Sequence, residues 1–440
     1  YSKIKEIRKK IIKKPQPFMI EFKTFRMRGH EEASGVKYVP KELLEKWGKK
    51  DPVINFESFL IDSSILTVDD VTKIKKGITK EIDINLEKTF NEKKIISSAE
   101  NELSDVYADF NFKKVEKSNE VQKMRLIDSI SDGLKEAMYK NDSLIIMGQD
   151  IAEYGGVFKI TEGFVDIFGK DRVRNTPICE SSIIEIAMGL SICNRKSIVE
   201  LQFSDFITSG FNPVVNYLAK SHYRWGQNAD IVLRMPCGAG VGAGPFHSQT
   251  NEAWFTKTPG LIVVYPSTPI DAKGLLISSI ENPNPVLFFE HKALYRSIRD
   301  DVPKGYYNIE IGKAKLLNVG TDITIITYGS GVHESIKTIK KQSLNADLID
   351  LRTLSPLDNV SIIQSVRKTG KAIILQEDSL FGGLASEISS IIMENCFENL
   401  DAPVVRVGSL DTPIPFEETL EKQYLPFERF ESEILKLIDY

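Results

Sequence analysis

The sequence has little of what disulfide-rich, metal-bound and membrane-spanning proteins depend on. Its 440 residues include four cysteines and five histidines, and the cysteines (Cys179, Cys193, Cys237 and Cys396) lie scattered without metal-ligand spacing. We expect reduced, mostly buried thiols of an intracellular protein. No apolar run reaches the roughly 18 residues that a membrane-spanning helix needs. The formal net charge of −4 gives no indication of binding to nucleic acid or to a membrane surface.

Common phosphate-binding motifs are also missing. The run GAGVGAGP, which begins at Gly238, is not followed by Lys-Ser or Lys-Thr, so it is not a Walker loop. It also lacks the acidic partner, about twenty residues further on, that a dinucleotide-binding fingerprint requires. Its glycines are expected instead to let the backbone pass close beside a site. The sequence contains no Gly-Asp-Gly either.

The patterns of apolar and charged residues divide the chain into four parts. Residues 1–75 combine a basic stretch, a β-like run (FMIEFKTFRM) and a charged helical pattern, too little to bury a core, and are interpreted as the tail of a larger α/β domain. Residues 76–123 are interpreted as an amphipathic connecting helix, with a loosely ordered linker as the alternative. Short apolar strands then alternate with helices, which predicts doubly wound parallel-sheet α/β domains over 124–300 and 306–440.

The most informative stretch surrounds Glu180. TPICESSIIEIAMG places a carboxylate at the start of an apolar-periodic helix, and VELQFSDF places Gln202 and Phe206 just after a short buried strand. An acid that can hydrogen-bond a ring nitrogen, together with a flat apolar face, suits a nitrogen-rich heterocycle. The plainer interpretations are a first-turn glutamate that offsets the helix dipole and an aromatic side chain of the core.

One histidine also lies in a favourable position. His247 follows the glycine run and precedes a helix start in GPFHSQTNEAWF, a place suited to proton transfer. A histidine satisfied by local backbone groups is an equally good interpretation. His222, His291 and His333 have blander surroundings.

With these residues in view, the chain resembles the β component of the thiamine-diphosphate-dependent 2-oxo acid dehydrogenases, above all the branched-chain type. The strings GKDRVRNTPICE, VELQFSDF, HSQTNEAWF, PGLIVVYPSTPIDAKGLL and LDAPVVRVGSLDTPIP carry the resemblance from residue 124 almost to the end. The first part resembles the end of the α component, whose active-site loop matches TFRMRGHEEASG. The resemblance implies a fused chain like those of some bacteria, with a transketolase-like pyrimidine domain followed by a transketolase C-terminal-like domain.

The resemblance also implies a role for each candidate residue. Glu180 matches the family glutamate that protonates a ring nitrogen of the cofactor's aminopyrimidine. Phe206 matches the aromatic residue stacked on that ring, and Gln202 lies beside it. His247 matches the histidine near the bound oxo acid and the incoming lipoyl group. His30 matches an α-side histidine that stabilises the decarboxylation intermediate and assists acyl transfer.

Two departures from the family pattern concern the N-terminal part. The family often has a serine after its α-side histidine, whereas Glu31 here removes a phosphorylation switch and adds a negative charge. In the α component a Gly-Asp-Gly…Asn segment holds the diphosphate and magnesium, and residues 1–75 contain none. We therefore expect these ligands on an upstream α portion, and expect this chain alone to bind thiamine diphosphate weakly and to be inactive. A monovalent cation in the β domain is left open.

The implied reaction is oxidative decarboxylation of branched-chain 2-oxo acids such as 2-oxoisovalerate, with reductive acyl transfer to the lipoyl group of an acyltransferase component. Pyruvate and acetoin dehydrogenases are the alternatives within the family. A transketolase-like enzyme would need a basic phosphate pocket, and a non-catalytic assembly subunit would not need the set of Glu180, Phe206 and His247. The implied assembly is α2β2-like or a fused homodimer. The implied location is the bacterial cytoplasm, or the mitochondrial matrix in a eukaryote.

Overall fold

The computed structural model describes residues 1–31, 33 and 35–440, which form two compact units, Tyr1–Ile96 and Ser97–Tyr440. The described residues of the first unit form the helices α1 Ser2–Lys13, α2 Lys41–Gly48, α3 Pro52–Asp62 and α4 Val68–Asn91. Helix α4 begins with a capping box, because Thr67 accepts a hydrogen bond from the backbone of Asp70 and the Asp70 carboxylate accepts one from the backbone of Thr67. Among the residues described in these helices only Val71 is buried, which agrees with the expectation that this part cannot build a core.

The prediction that the run FMIEFKTFRM of this unit is β-like is wrong. Residues 18–27 form neither strand nor helix and are mostly exposed, so their backbone groups, which have no partner strand, are left to hydrogen-bond with water. One of its aromatic residues, Phe25, instead stacks on Trp47 of α2, with ring centroids 5.7 Å apart.

The second unit begins with a seven-stranded sheet in the order β12-β6-β7-β5-β4-β2-β3, and all strands are parallel except β12. Its strands carry continuous apolar runs because helices cover both faces. The bounds in this part of the chain are α5 Ala99–Ser104, β1 Val121–Arg125, α6 Leu126–Lys140, β2 Ile145–Gly148, α7 Phe164–Phe168, β3 Val173–Asn175, α8 Glu180–Ile192, β4 Ser197–Glu200, α9 Ser221–Trp225, β5 Ile231–Cys237, α10 Ala253–Thr256, β6 Ile262–Val264, α11 Pro269–Glu281, β7 Val286–His291, α12 Leu294–Ser297 and β8 Arg299–Pro303.

A five-stranded sheet follows in the order β14-β13-β10-β11-β9, parallel except for β9. The bounds in this part of the chain are β9 Lys315–Asn318, β10 Ile323–Thr327, α13 Ser330–Gln342, β11 Ala346–Asp350, β12 Thr353–Ser355, α14 Asn359–Thr369, β13 Ala372–Ser379, α15 Leu384–Cys396, β14 Val405–Ser409, α16 Glu418–Tyr424 and α17 Phe427–Asp439. Strand β12 leaves this half of the chain to pair with β6, so the two halves share one sheet. The predicted doubly wound α/β architecture is confirmed.

Between β4 and β5 the chain forms a π-helical turn, Pro213–Leu218, followed by α9. Two local predictions need correction. The connecting helix predicted over 76–123 ends at Asn91, and residues 105–120 are not helical. Two of the four thiols expected to be mostly buried, Cys179 and Cys193, are exposed.

The predicted domain boundaries remain predictions, although residue 75 lies inside α4. In the described residues no helix combines the length and the apolar character needed to cross a membrane.

Candidate active site

Glu180 is the first residue of α8, and its side chain is buried with 9% of its surface exposed. The side-chain amide of Gln149, which follows β2, donates a hydrogen bond to Oε1 of Glu180 at 3.2 Å. In the described part of the chain the other carboxyl oxygen of Glu180 accepts no hydrogen bond. The carboxylate is therefore fixed on one side, beside the positive end of a helix, and free on the other.

Gln202 and Phe206 follow the carboxyl end of β4, and Phe206 lies on a 3₁₀ turn, Ser204–Gly210. This turn packs against the start of α8. A Cβ atom at Gly210 would lie 2.5 Å from Cδ1 of Ile184 and 3.6 Å from the carbonyl oxygen of Glu180. The close approach brings the turn that carries Phe206 next to the helix that carries Glu180, and a larger residue at position 210 would have to displace the side chain of Ile184.

The imidazole of His247 packs edge-to-face on two phenylalanine rings. Its ring centroid is 4.8 Å from that of Phe203 and 5.6 Å from that of Phe206, and the two phenylalanine centroids are 5.7 Å apart. The structure thus brings together two of the predicted residues, Phe206 and His247. Phe203 was missed by sequence reasoning, although it stands in the same LQFSDF string.

Buried polar groups tie the 3₁₀ turn to the loop of His247. The backbone N–H of Gln249 donates to Oδ1 of Asp205 at 3.2 Å, and Ser204 Oγ donates to the carbonyl of Gln249 at 2.9 Å. The side-chain amide of Asn251 donates to the carbonyl of Ser204 at 2.9 Å. Within the described residues, Oδ2 of Asp205 and Oδ1 of Asn251 are buried without a hydrogen-bond partner, and such unpaired acceptors are costly unless something else satisfies them.

The glycine run before His247 permits close packing, as the sequence predicts. Gly238 has φ +91, and a Cβ atom there would lie 2.3 Å from Nε2 of His291. Gly244 has φ +72 and faces the Phe416 ring, 2.4 Å from such a Cβ atom. The left-handed backbone and the lack of space both call for glycine at these positions.

A cleft of about 630 Å³ opens beside His247, between the two halves of the second unit. Two acidic residues distinguish this region. Glu252 is fully buried, accepts a hydrogen bond from the Tyr328 hydroxyl at 2.6 Å, and has its pKa raised to about 8 by burial and by the charge of Asp378. Burial also raises the pKa of Asp378 to about 6. The cleft is lined by Pro245, Phe246, Gln249, Thr250, Asn251, Trp254, Asp378, Ser379, Phe381, Leu410, Asp411, Thr412, Pro413, Ile414 and Tyr424.

A cluster of buried charged side chains joins strands β4, β5 and β7 of the first sheet. Arg234 on β5 is fully buried between Glu200 and Glu290, and its guanidinium makes a bidentate pair with Glu290 at 2.7 and 2.8 Å. The Tyr295 hydroxyl donates to the same carboxylate at 2.6 Å. Burial alone would lower the pKa of Arg234, but the two carboxylates raise it, so the arginine stays charged.

His30 lies in the first unit, where its imidazole is exposed and Nδ1 is 3.4 Å from a guanidinium nitrogen of Arg26. Its role remains a prediction. Among the described residues no group of three or more histidine, cysteine, aspartate or glutamate side chains is arranged to hold a metal ion.

Comparisons with family models match most of the chain. Residues 122–297 match "Transketolase, pyrimidine binding domain", residues 312–429 match "Transketolase, C-terminal domain", and residues 1–96 match "Dehydrogenase E1 component". The structure is also similar to "Split gene transketolase, inactive beta4 tetramer", with a TM-score of 0.58 and 20% identity over 72% of this chain and 98% of that one. At this identity the likeness concerns the fold alone.

Named relatives match the larger part of the sequence. The chain is 43% identical to "2-oxoisovalerate dehydrogenase subunit beta, mitochondrial" of Dictyostelium discoideum, over 72% of this chain and 88% of that protein. It is 42% identical to "2-oxoisovalerate dehydrogenase subunit beta" of Bacillus subtilis (strain 168), over 69% of this chain and 94% of that protein. It is equally 42% identical, with the same coverage, to "Pyruvate dehydrogenase E1 component subunit beta" of the same organism.

Proposed function

Because the chain belongs to the family of 2-oxo acid dehydrogenase E1 components, we propose that it oxidatively decarboxylates branched-chain 2-oxo acids, with 2-oxoisovalerate as the main substrate, and passes the acyl group to a lipoyl group. The observation that carries the chemistry is the buried carboxylate of Glu180, which begins a helix and keeps one oxygen free. It lies at the end of a sheet where an aromatic turn packs against the same helix.

These residues fit the pyrimidine half of thiamine diphosphate. Gln149 orients the carboxyl group of Glu180, and the free oxygen can hold a proton at a ring nitrogen. Phe206 offers an aromatic face on the neighbouring turn, with Gln202 at the end of β4. When bound, thiamine diphosphate supplies the carbon nucleophile and the electron sink of the reaction.

The chain's other contribution concerns proton transfer and exclusion of water. His247 is held by two phenylalanine rings, and its neighbours Phe246 and Gln249 line the cleft between the two halves. We assign it to the oxo acid and to the incoming lipoyl group, where an imidazole can take up a proton and return it. His30, the diphosphate and its magnesium ion are assigned to the α portion of the site.

The choice of 2-oxoisovalerate rests on the ELQFSDF and GGLASEISS strings and on the names of two relatives. Pyruvate is the second candidate, because a pyruvate dehydrogenase β subunit is equally identical to this chain. An extra methyl group on a substrate changes its free energy of binding to an apolar pocket by about 1–3 kcal/mol. Small changes in the pocket can therefore reverse the preference between 2-oxoisovalerate and pyruvate.

The proposed partners are the α portion, in an α2β2-like assembly or a fused homodimer, and a lipoyl acyltransferase component. We place the enzyme in the bacterial cytoplasm, with the mitochondrial matrix as the alternative, since the relatives include a mitochondrial and a bacterial protein. We also propose that activity requires a monovalent cation bound in the β domain, and a titration of activity with potassium tests this requirement.

The test is a decarboxylation assay with thiamine diphosphate and magnesium, run on the chain alone and on the chain with an upstream α portion supplied. We expect activity only in the second case, and a higher kcat/KM for 2-oxoisovalerate than for pyruvate. Glu180→Gln should lower kcat by a factor of about 10²–10⁴, the range for loss of a proton-transfer group. Glu185→Gln, an exposed change on the same helix, should leave kcat unchanged.

The possible contrary results are distinct. A higher kcat/KM for pyruvate would assign the chain to the pyruvate enzyme. Full activity of Glu180→Gln would remove Glu180 from the chemistry. A calorimetric titration that finds no cofactor binding even with the α portion would favour the assembly-subunit interpretation.

A further inference from the structure

A segment that precedes β1 packs along the rest of the second unit. We call this segment, residues 97–118, the strap; it begins with α5, and residues 105–118 are irregular. Its best-defined contact is with Asn284, in the turn before β7. The side-chain oxygen of Asn284 accepts a hydrogen bond from the backbone N–H of Ala108 at 2.8 Å, and its amide donates to the carbonyl of Ala108 at 3.0 Å. One asparagine side chain thus satisfies both backbone groups of one strap residue, as a neighbouring strand would do.

A second asparagine makes a similar pair of hydrogen bonds further along the strap, here with two different residues. Oδ1 of Asn308 accepts from the backbone N–H of Val115 at 2.7 Å, and its amide donates to the carbonyl of Lys113 at 2.9 Å. Both asparagines are almost fully buried, with 4% and 3% of their surface exposed. Without the strap, these side chains would face solvent or lose their partners.

Both asparagines are held in place by other groups of the second unit. The side-chain oxygen of Asn282 accepts from the backbone and from the side chain of Asn284, at 2.9 and 3.0 Å. The amide of Asn308 also donates to Glu281 at 2.7 Å. The side chains of Asn284 and Asn308 are therefore oriented by the end of α11 and the residues after it, not by the strap itself.

Side chains of the strap add anchoring contacts. The Tyr107 hydroxyl donates to the carbonyl of Leu261 at 3.2 Å, and the ring packs against the apolar core of the first sheet. Glu102 accepts a hydrogen bond from the Tyr223 hydroxyl at 2.6 Å. Ala108 itself is buried, with 7% of its surface exposed.

We propose that the groove formed by Asn284, Asn308 and the carbonyl of Leu261 is a peptide-docking site of residues 119–440, and that its occupant is the strap. The strap lies between the range of the chain matched as dehydrogenase E1 component and the range matched as pyrimidine-binding domain. Because the strap is held by hydrogen bonds and apolar packing, its docking does not depend on the covalent link to residue 119.

The experiment cuts the folded chain after the strap. A protease recognition sequence is inserted between Ser118 and Asn119, in an exposed stretch, and the purified full-length protein is cleaved. We expect the two pieces to co-elute on size exclusion at low micromolar concentration. In the cleaved double variant Asn284→Ala/Asn308→Ala we expect them to separate, since each lost asparagine should weaken association by about tenfold.

Controls separate docking from folding. Asn395→Ala removes an exposed amide that bonds only within its own helix, to Ile391, and should leave the cleaved pieces together. Thermal melting of the uncleaved variants shows whether the asparagine changes unfold the second unit. Ala108→Pro removes the backbone N–H that donates to Asn284. It should therefore weaken docking while leaving residues 119–440, which bind the strap, unchanged.

Two results would overturn the proposal. The first is separation of the cleaved pieces without any substitution, because the strap would then not hold them. The second is unchanged co-elution of the cleaved pieces in both the double variant and Ala108→Pro, because other contacts would then carry the association.

Discussion

The buried acid beside the His247 loop leads to a prediction about stability and pH. A glutamate loses its proton near pH 4.5 when it is solvated, whereas burial and the charge of Asp378 raise the pKa of Glu252 to about 8. Between these values the folded protein binds one more proton than the unfolded chain. The free energy of unfolding must therefore fall as pH rises, by about 1.4 kcal/mol per pH unit for one proton.

The substitution Glu252→Gln isolates this contribution. Glutamine keeps an oxygen that can accept the hydrogen bond from Tyr328, but it does not titrate. From pH 6 to pH 7.5 the parent should lose about 2 kcal/mol of stability that the variant keeps. The pKa of Asp378, raised to about 6 by burial, adds a loss of the same sign in both proteins and so largely cancels in the comparison.

Urea unfolding at the two pH values measures the difference, with the fluorescence of Trp254 as a signal from the same cleft. Glu398→Gln, a change at an exposed position, serves as the matched control and should show the parent's dependence on pH. An equal loss of stability in the parent and in Glu252→Gln would refute the reasoning, because the buried proton would then not reside on Glu252.

Three further predictions concern the support of the site. Gly210→Ala should destabilise the protein by about 1–3 kcal/mol through overpacking and lower decarboxylation. Gly189→Ala, at a position of α8 with open space around it, should instead stabilise the protein by up to about 1 kcal/mol, and equal effects in thermal melting would contradict this. Gln149→Leu should lower decarboxylation more than it lowers the melting temperature, because it frees the carboxyl group at the start of α8; unchanged kcat would contradict it. Glu290→Ala should cost about 3–5 kcal/mol in urea unfolding because it leaves Arg234 with one carboxylate, and a cost below about 1 kcal/mol would show that the arginine finds another partner.

Much of the second unit could be predicted because its signals are local. Continuous apolar strands such as Ile231–Cys237 and helices with start signals, such as Pro269–Glu281 after the cap Thr268, are fixed by nearby residues. The position of Glu180 at a helix start was predicted for the same reason. The two α/β sheets then follow from the alternation of these elements.

The errors and omissions have long-range causes. Residues 105–120 fell within the predicted connecting helix, but asparagines more than 170 positions away hold part of this segment in an irregular conformation. Gln149 is 31 positions from the carboxylate that it orients. No pattern within a short window contains such pairs, because they depend on which strands become neighbours in the sheet.

The largest omission concerns the contribution of the C-terminal half, to which no candidate residue was assigned. Glu377 and Glu421 belong to that half, and their carboxylates accept hydrogen bonds from backbone N–H groups of the glycine loop 238–244, at 2.7–3.3 Å. The loop leads directly to His247. Because a backbone with left-handed glycines has few contacts of its own, these carboxylates determine where the loop ends. The loop that leads to His247 is therefore held by the C-terminal half as well as by the 3₁₀ turn, although every residue proposed to touch the pyrimidine lies before that half.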